Sequence, residues 1–148
     1  MRSSMLLKVP TGLIAAVLAV ASSAPAAQAQ DSGFAARMNV PFAFQTALGQ
    51  HFAPGVYTIT MNSTQCMLIR NSTTAGLVPT QLASDQKPPT QGKAVFSHYG
   101  DRYFLRTISV ANYPGHLIFD QSKAERESQI AAGKASNPVD VALLKAGR

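Results

Sequence analysis

Apolar and polar residues alternate along most of this chain with a period of two, the spacing that puts side chains on opposite faces of a β-strand. Met38, Val40, Phe42 and Phe44 fall at every second position. They predict a strand over 38–44 with one apolar face. Pro41 has no N–H for a ladder, so the strand is expected at a sheet edge or with a bulge. Ala53-Pro54-Gly55 reads as a turn. After it, Tyr57, Ile59 and Met61 alternate with Thr58 and Thr60. Asn62-Ser63-Thr64 predicts a turn into a third strand, Gln65 to Arg70. A polar loop, Asn71 to Gly76, leads to a weaker strand, Leu77 to Leu82, which carries Pro79. Ala83 to Gly92, with Lys87-Pro88-Pro89, predicts an extended, exposed connection.

The clearest element is a hairpin over Lys93 to Val110. Gly100-Asp101 sits between two β-rich runs, as in a two-residue I′ or II′ turn. That register sets Tyr99 opposite Arg102, His98 opposite Tyr103, and Phe96 opposite Leu105. Phe96, His98, Tyr103 and Leu105 then share a core-directed face. Val95, Tyr99, Phe104 and Ile108 share the other with Arg102 and Arg106. A face with two arginines is expected to be partly solvated or to join a charged contact.

A short strand is expected over His116 to Phe119. Ser122-Lys123-Ala124-Glu125 matches a capping box, in which Ser accepts from the third amide and Glu reaches back to the cap. It predicts one helix over 123–132, stopped by Gly133. Its apolar positions, Ala124, Ile130 and Ala131, are weak, so the helix should lie on the surface. After Asn137-Pro138, the alternation of Val139, Val141 and Leu143 predicts a last strand, with a terminal helix as the rival. Seven or eight short strands, one short C-terminal helix and no βαβ rhythm predict a mainly β fold, an antiparallel sandwich or small barrel.

The N-terminus departs from this pattern. Arg2 and Lys8 make a basic start, Leu13 to Ala21 is an uninterrupted apolar run, and Ala27-Gln28-Ala29 is a small-x-small cleavage pattern. Together they read as a signal peptide over 1–29, cut between Ala29 and Gln30. The alternative is an uncut anchor. A spanning helix needs about 20 apolar residues, and Pro10, Gly12 and Pro25 leave too short a run between them. A lipid anchor is not indicated, because Cys66 is the sole cysteine and lies far downstream. The expectation is a single β-rich domain over 30–148, secreted or periplasmic. A lone cysteine makes no internal disulfide, so the core must hold the fold unaided; Cys66, in an apolar run, is read as a small buried hydrophobe.

The whole chain carries 13 Lys+Arg against 7 Asp+Glu. Without Arg2 and Lys8 the exported chain keeps a formal charge of +4. The cations are scattered, with no basic run or stripe, which gives nucleic-acid binding no support. Outside the cell a modest positive balance reads first as a solvated surface, with contact to anionic envelope polymers as the rival.

Four blocks carry a resemblance. They are Val40-Pro41-Phe42-Ala43-Phe44, Ala53-Pro54-Gly55-Val56-Tyr57-Thr58, Gly92-Lys93-Ala94-Val95-Phe96 leading into Tyr99-Gly100-Asp101-Arg102-Tyr103-Phe104-Leu105, and Ser122-Lys123-Ala124-Glu125-Arg126-Glu127. The chain resembles a group of small secreted bacterial proteins with a VPFxF start, a Pro-Gly-x-Tyr turn, a YGDRYFL hairpin and an SxAERE helix. The proline of Phe52-Ala53-Pro54-Gly55 lies one place away from the group's Leu-Pro-Ala-Gly. The resemblance implies export and a β-rich fold, and lends no activity, ligand or catalytic residue.

Candidate chemistry is sparse. His51, His98 and His116 lack the close spacing of a metal motif, and no metal or cofactor is expected. Asp101 and Arg102 at the hairpin tip are candidate recognition residues, along with Tyr99, Arg106 and His98. In the plainer reading, Asp101 satisfies turn donors, Arg102 packs over Tyr99 and His98 is a barrel-mouth residue. Arg106 and Asp120 are a possible cross-strand pair. No nucleophile elbow, P-loop or dinucleotide motif occurs. Asn62-Ser63-Thr64 and Asn71-Ser72-Thr73 match glycosylation sequons but read as turns. The leading expectation is an exported non-enzymatic domain binding an envelope component or partner protein. The alternatives are a barrel carrying a small apolar ligand, and a hydrolase using His98 with Asp101 or Asp120.

Overall fold

A computed structural model describes residues 34–63, 65–84, 87–113, 115–133 and 136–145. The expected leader over 1–29 and its cleavage point lie outside the described residues.

Among the described residues eleven strands and one helix follow in order: β1 (Ala35–Val40), β2 (Phe44–Gln45), β3 (His51–Phe52), β4 (Gly55–Ser63), β5 (Cys66–Arg70), β6 (Ala75–Pro79), β7 (Gln81–Ala83), β8 (Gly92–Tyr99), β9 (Arg102–Ser109), β10 (His116–Ile118), α1 (Lys123–Ala132) and β11 (Asn137–Lys145). The fold is mainly β with one short helix, as the alternation predicts. Nine strands form one curled sheet, a half-barrel, in the order β3-β2-β9-β8-β11-β1-β4-β5-β6. β7 pairs with β10 and β10 with β9. Only Thr80 separates β6 from β7, so this side path leads from the far end of the sheet back to β9.

Several local expectations are corrected. The strand predicted over 38–44 ends at Val40, and Pro41 begins a break before β2. Its first part, β1, is neither bulged nor at an edge, because β4 and β11 flank it. The run 77–82 likewise divides, at Thr80. These breaks raise the strand number above eight. The sheet is mixed, because β2 runs parallel to β9, with Phe44 opposite Tyr103. Residues 137–145 are a strand, and it lies between β1 and β8.

The concave face holds the core. Tyr57, Ile59, Met67, Ile69, Val78 and Phe96 are fully buried there. The rings of Phe44 and Phe52 stack at 5.0 Å, and Phe44 meets Tyr57 and Phe96 edge-on at 5.5 and 5.3 Å. The Tyr57 hydroxyl donates to the Ala53 carbonyl, and burial pushes its pKa upward. Side chains fill this interior. Cys66, read as buried, is only half-buried, and it is free.

The β8–β9 hairpin keeps the expected register: Tyr99 opposite Arg102, His98 opposite Tyr103, Phe96 opposite Leu105. Gly100 has φ +62 and Asp101 has no positive φ. Positive φ at the first turn residue alone is the II′ arrangement. One expectation fails beyond it. The register shifts between Val95 and Phe96, so Thr107 and not Arg106 faces Val95. This bulge turns Ile108 into the core beside Leu105, away from Phe104.

Candidate functional site

The convex face of the hairpin carries Ser97, Tyr99, Arg102, Phe104 and Arg106, and α1 lies across it. The Ser122 hydroxyl accepts from the Glu125 amide at 3.0 Å, the expected N-cap. The helix ends at Gly133, in the left-handed conformation, whose N–H donates to the Gln129 and Ile130 carbonyls. Its orientation corrects the sequence reading. Ile130 is 80% exposed, while Glu125 and Ser128 are the buried residues. The helix docks through its polar side because the sheet beneath presents arginines.

Two arginine contacts fasten it. Arg102 donates from Nη1 to Ser128 Oγ at 3.0 Å and from Nη2 to Gln45 Oε1 at 3.4 Å. Ser128 Oγ in turn donates to the Ala124 carbonyl. Arg106 Nη1 reaches Glu125 Oε2 at 3.4 Å. Between these contacts Tyr99 and Phe104 are buried, their ring centroids 6.1 Å apart. The Arg102 guanidinium sits 5.4 Å from the centroid of Phe104, not over Tyr99 as expected.

Glu125 is the unusual group. Its side chain is 3% exposed. Burial pushes its pKa above the ordinary carboxylate value, and the Arg106 charge and the nearby Ser97 hydroxyl oppose that shift only in part. Oε1 is buried without an aligned hydrogen-bond partner. Glu125 does not reach back to its own cap as a capping box would have it; its carboxylate is turned to Arg106.

An open cleft lies where the hairpin tip meets the last turns of α1. Tyr99, Asp101, Arg102, Glu127, Ser128 and Ala131 line it. Three of the five predicted binding residues, Tyr99, Asp101 and Arg102, therefore converge. Arg106 lies further along β9 under Glu125. His98 is on the opposite face, stacked on Tyr103 at 4.2 Å and 8°. Phe42 stacks on the same ring at 3.9 Å and 15°, so Tyr103 is held between two parallel rings.

Comparison with family models, with curated proteins and with solved structures returned no match. The site is therefore read from its own chemistry.

The candidate pair of Arg106 with Asp120 does not form. Arg106 takes Glu125, and Asp120 accepts from Gln81 Nε2 at 3.0 Å, tying β10 to β7. The three histidines sit on three strands, β3, β8 and β10. Among the described residues no group of three or more His, Cys, Asp or Glu side chains gathers to hold a metal. No described helix is long and apolar enough to cross a membrane. The sequence reading missed Gln45, Ser97, Ser128 and Glu127. One signal for part of this was available: Ser122, Glu125 and Ser128 recur at three-residue spacing, a polar helix stripe to match two outward arginines.

Proposed function

We propose that this chain is an exported, non-enzymatic β-domain that binds an envelope component or partner protein. The observation that carries the reading is the cleft between hairpin tip and helix. Asp101 and Glu127 are exposed in it, and the Arg102–Ser128 contact and the Ser122 cap fix its walls. A concave site on a rigid backing loses little conformational entropy on binding.

Two of the groups offered for hydrolysis have structural contacts, which favours the binder reading. His98 is half of a ring stack and Asp120 holds Gln81. The interior, filled by Phe44, Phe52, Tyr57 and Phe96, favours surface contact over a ligand carried within. The leader pattern of residues 1–29 and the resemblance to secreted proteins supply the export half of the proposal.

The test is capture from envelope extract by immobilised protein starting at Gln30, alongside the double variant Asp101→Ala/Glu127→Ala. The expected result is a species retained by the wild type and lost by the variant. Equal retention by both, or no retained species, contradicts the reading.

A further inference from the structure

A second groove lies on the convex face, away from α1. Arg37 on β1 sits directly opposite Thr58 on β4, and Thr58 opposite Arg70 on β5. All three point outward, since their neighbours Ala36, Met38, Ile59 and Ile69 face the core. Two strand spacings separate the arginine Cα atoms by roughly 10 Å. Guanidinium groups on stems of that length can converge on one anion held above Thr58. The loop after β5 makes the groove's wall, with Asn71 and Ser72. Asn71 Oδ1 is turned into that loop, accepting from the Thr73 and Thr74 amides, so its amide group is the end left to donate.

Charge separates this groove from the other clefts. The described carboxylates lie elsewhere: Glu125 with Arg106, Glu127 with Lys123, Asp140 with Lys93, Asp120 with Gln81, and Asp101 at the hairpin tip. Besides these donors the groove is lined by Gly55 and the exposed Val56, with no acidic side chain, and among the described residues neither Arg37 nor Arg70 is paired with a carboxylate. The hairpin–helix cleft, by contrast, holds Asp101 and Glu127.

We infer that the Arg37–Thr58–Arg70 groove binds a phosphate group carried on a soluble polymer. Two guanidiniums, two hydroxyls and an amide supply more donors than one carboxylate accepts, and they suit a phosphate with its several oxygens and fork-matching geometry. A lipid plane would ask for a broad cationic patch, whereas two arginines flank this groove and the loop after β5 walls one side of it. The inference draws on the binder reading only for where such a polymer would be met, because phosphate affinity is measured on the purified chain alone.

Calorimetric titration of the purified full chain with sodium polyphosphate tests it. Binding is expected, and Arg37→Ala and Arg70→Ala should each weaken it about tenfold. The double variant should abolish it, and Lys87→Ala, on the exposed connection, should match the wild type. Both arginines are exposed, so unchanged circular dichroism is expected for the variants. The inference is overturned if the wild type does not bind, if the double variant still does, or if polygalacturonate binds as tightly as polyphosphate. Binding only to phosphatidylglycerol vesicles overturns it too. If the wild type retains no envelope species, or the Asp101→Ala/Glu127→Ala variant retains it equally, while polyphosphate binding is intact, the hairpin–helix cleft is removed as a site and this one stands.

Discussion

Glu125 concentrates the residue-scale physics. A carboxylate at 3% exposure keeps one bond to a partly exposed guanidinium, which replaces only part of the hydration it has given up. Its pKa is accordingly raised. A raised carboxyl pKa means the folded state holds its proton more tightly than the unfolded chain. The associated stability is present below the unfolded value and lost as pH rises through the folded one. Glu125→Gln, which imitates the protonated form, should therefore be at least as stable as the wild type at pH 7, with a flatter loss between the carboxylate range and neutrality. Arg106→Ala strands the charge and should cost about 2–3 kcal/mol at pH 7, less than for a fully buried pair because Arg106 is partly exposed. Its deficit should narrow as acid protonates Glu125. Urea unfolding across pH checks both; a Glu125→Gln loss above about 1 kcal/mol would contradict the account.

For the helix as an element, packing and sequence pattern diverge. Apolar positions failed to mark its buried side, because Arg102 and Arg106 beneath it select hydroxyl and carboxylate partners. Ile130→Lys should change stability by no more than about 0.5 kcal/mol, whereas Ser122→Ala, removing the cap from the Glu125 amide, should cost about 1 kcal/mol. Thermal unfolding of the two variants separates them, and the reverse ranking would place the apolar side inward after all. The hairpin register was legible, since two turn residues leave little freedom of pairing. The bulge that redirects Ile108 was not, because no glycine or proline marks it. Pro41 was legible as a disturbance, but alternation continued through Phe42 and Phe44 and hid the fact that the strand stops there.

Across the whole molecule, alternation shows which residues are strands and which sides are buried, but not which strands are neighbours. In the main path the tight links β2–β3, β4–β5, β5–β6 and β8–β9 bring adjacent chain segments together, and the other neighbours come from distant parts of the chain. β11, from the end of the described chain, lies between β1 from its beginning and β8. Such placement depends on long-range packing, which one sequence does not display. The same holds for the candidate sites. Tyr99, Asp101 and Arg102 were legible because they share one turn. Glu127 and Ser128 join them only when α1 folds over the sheet, and Arg37 meets Arg70 only across β4. The claim that unites fold and function is that this domain works outside the cytoplasm. Its most direct test is mass spectrometry of the protein's N-terminal peptide from fractionated host cells. The account predicts a peptide beginning at Gln30 in the envelope or secreted fraction; an intact Met1 terminus confined to the cytosol would contradict it.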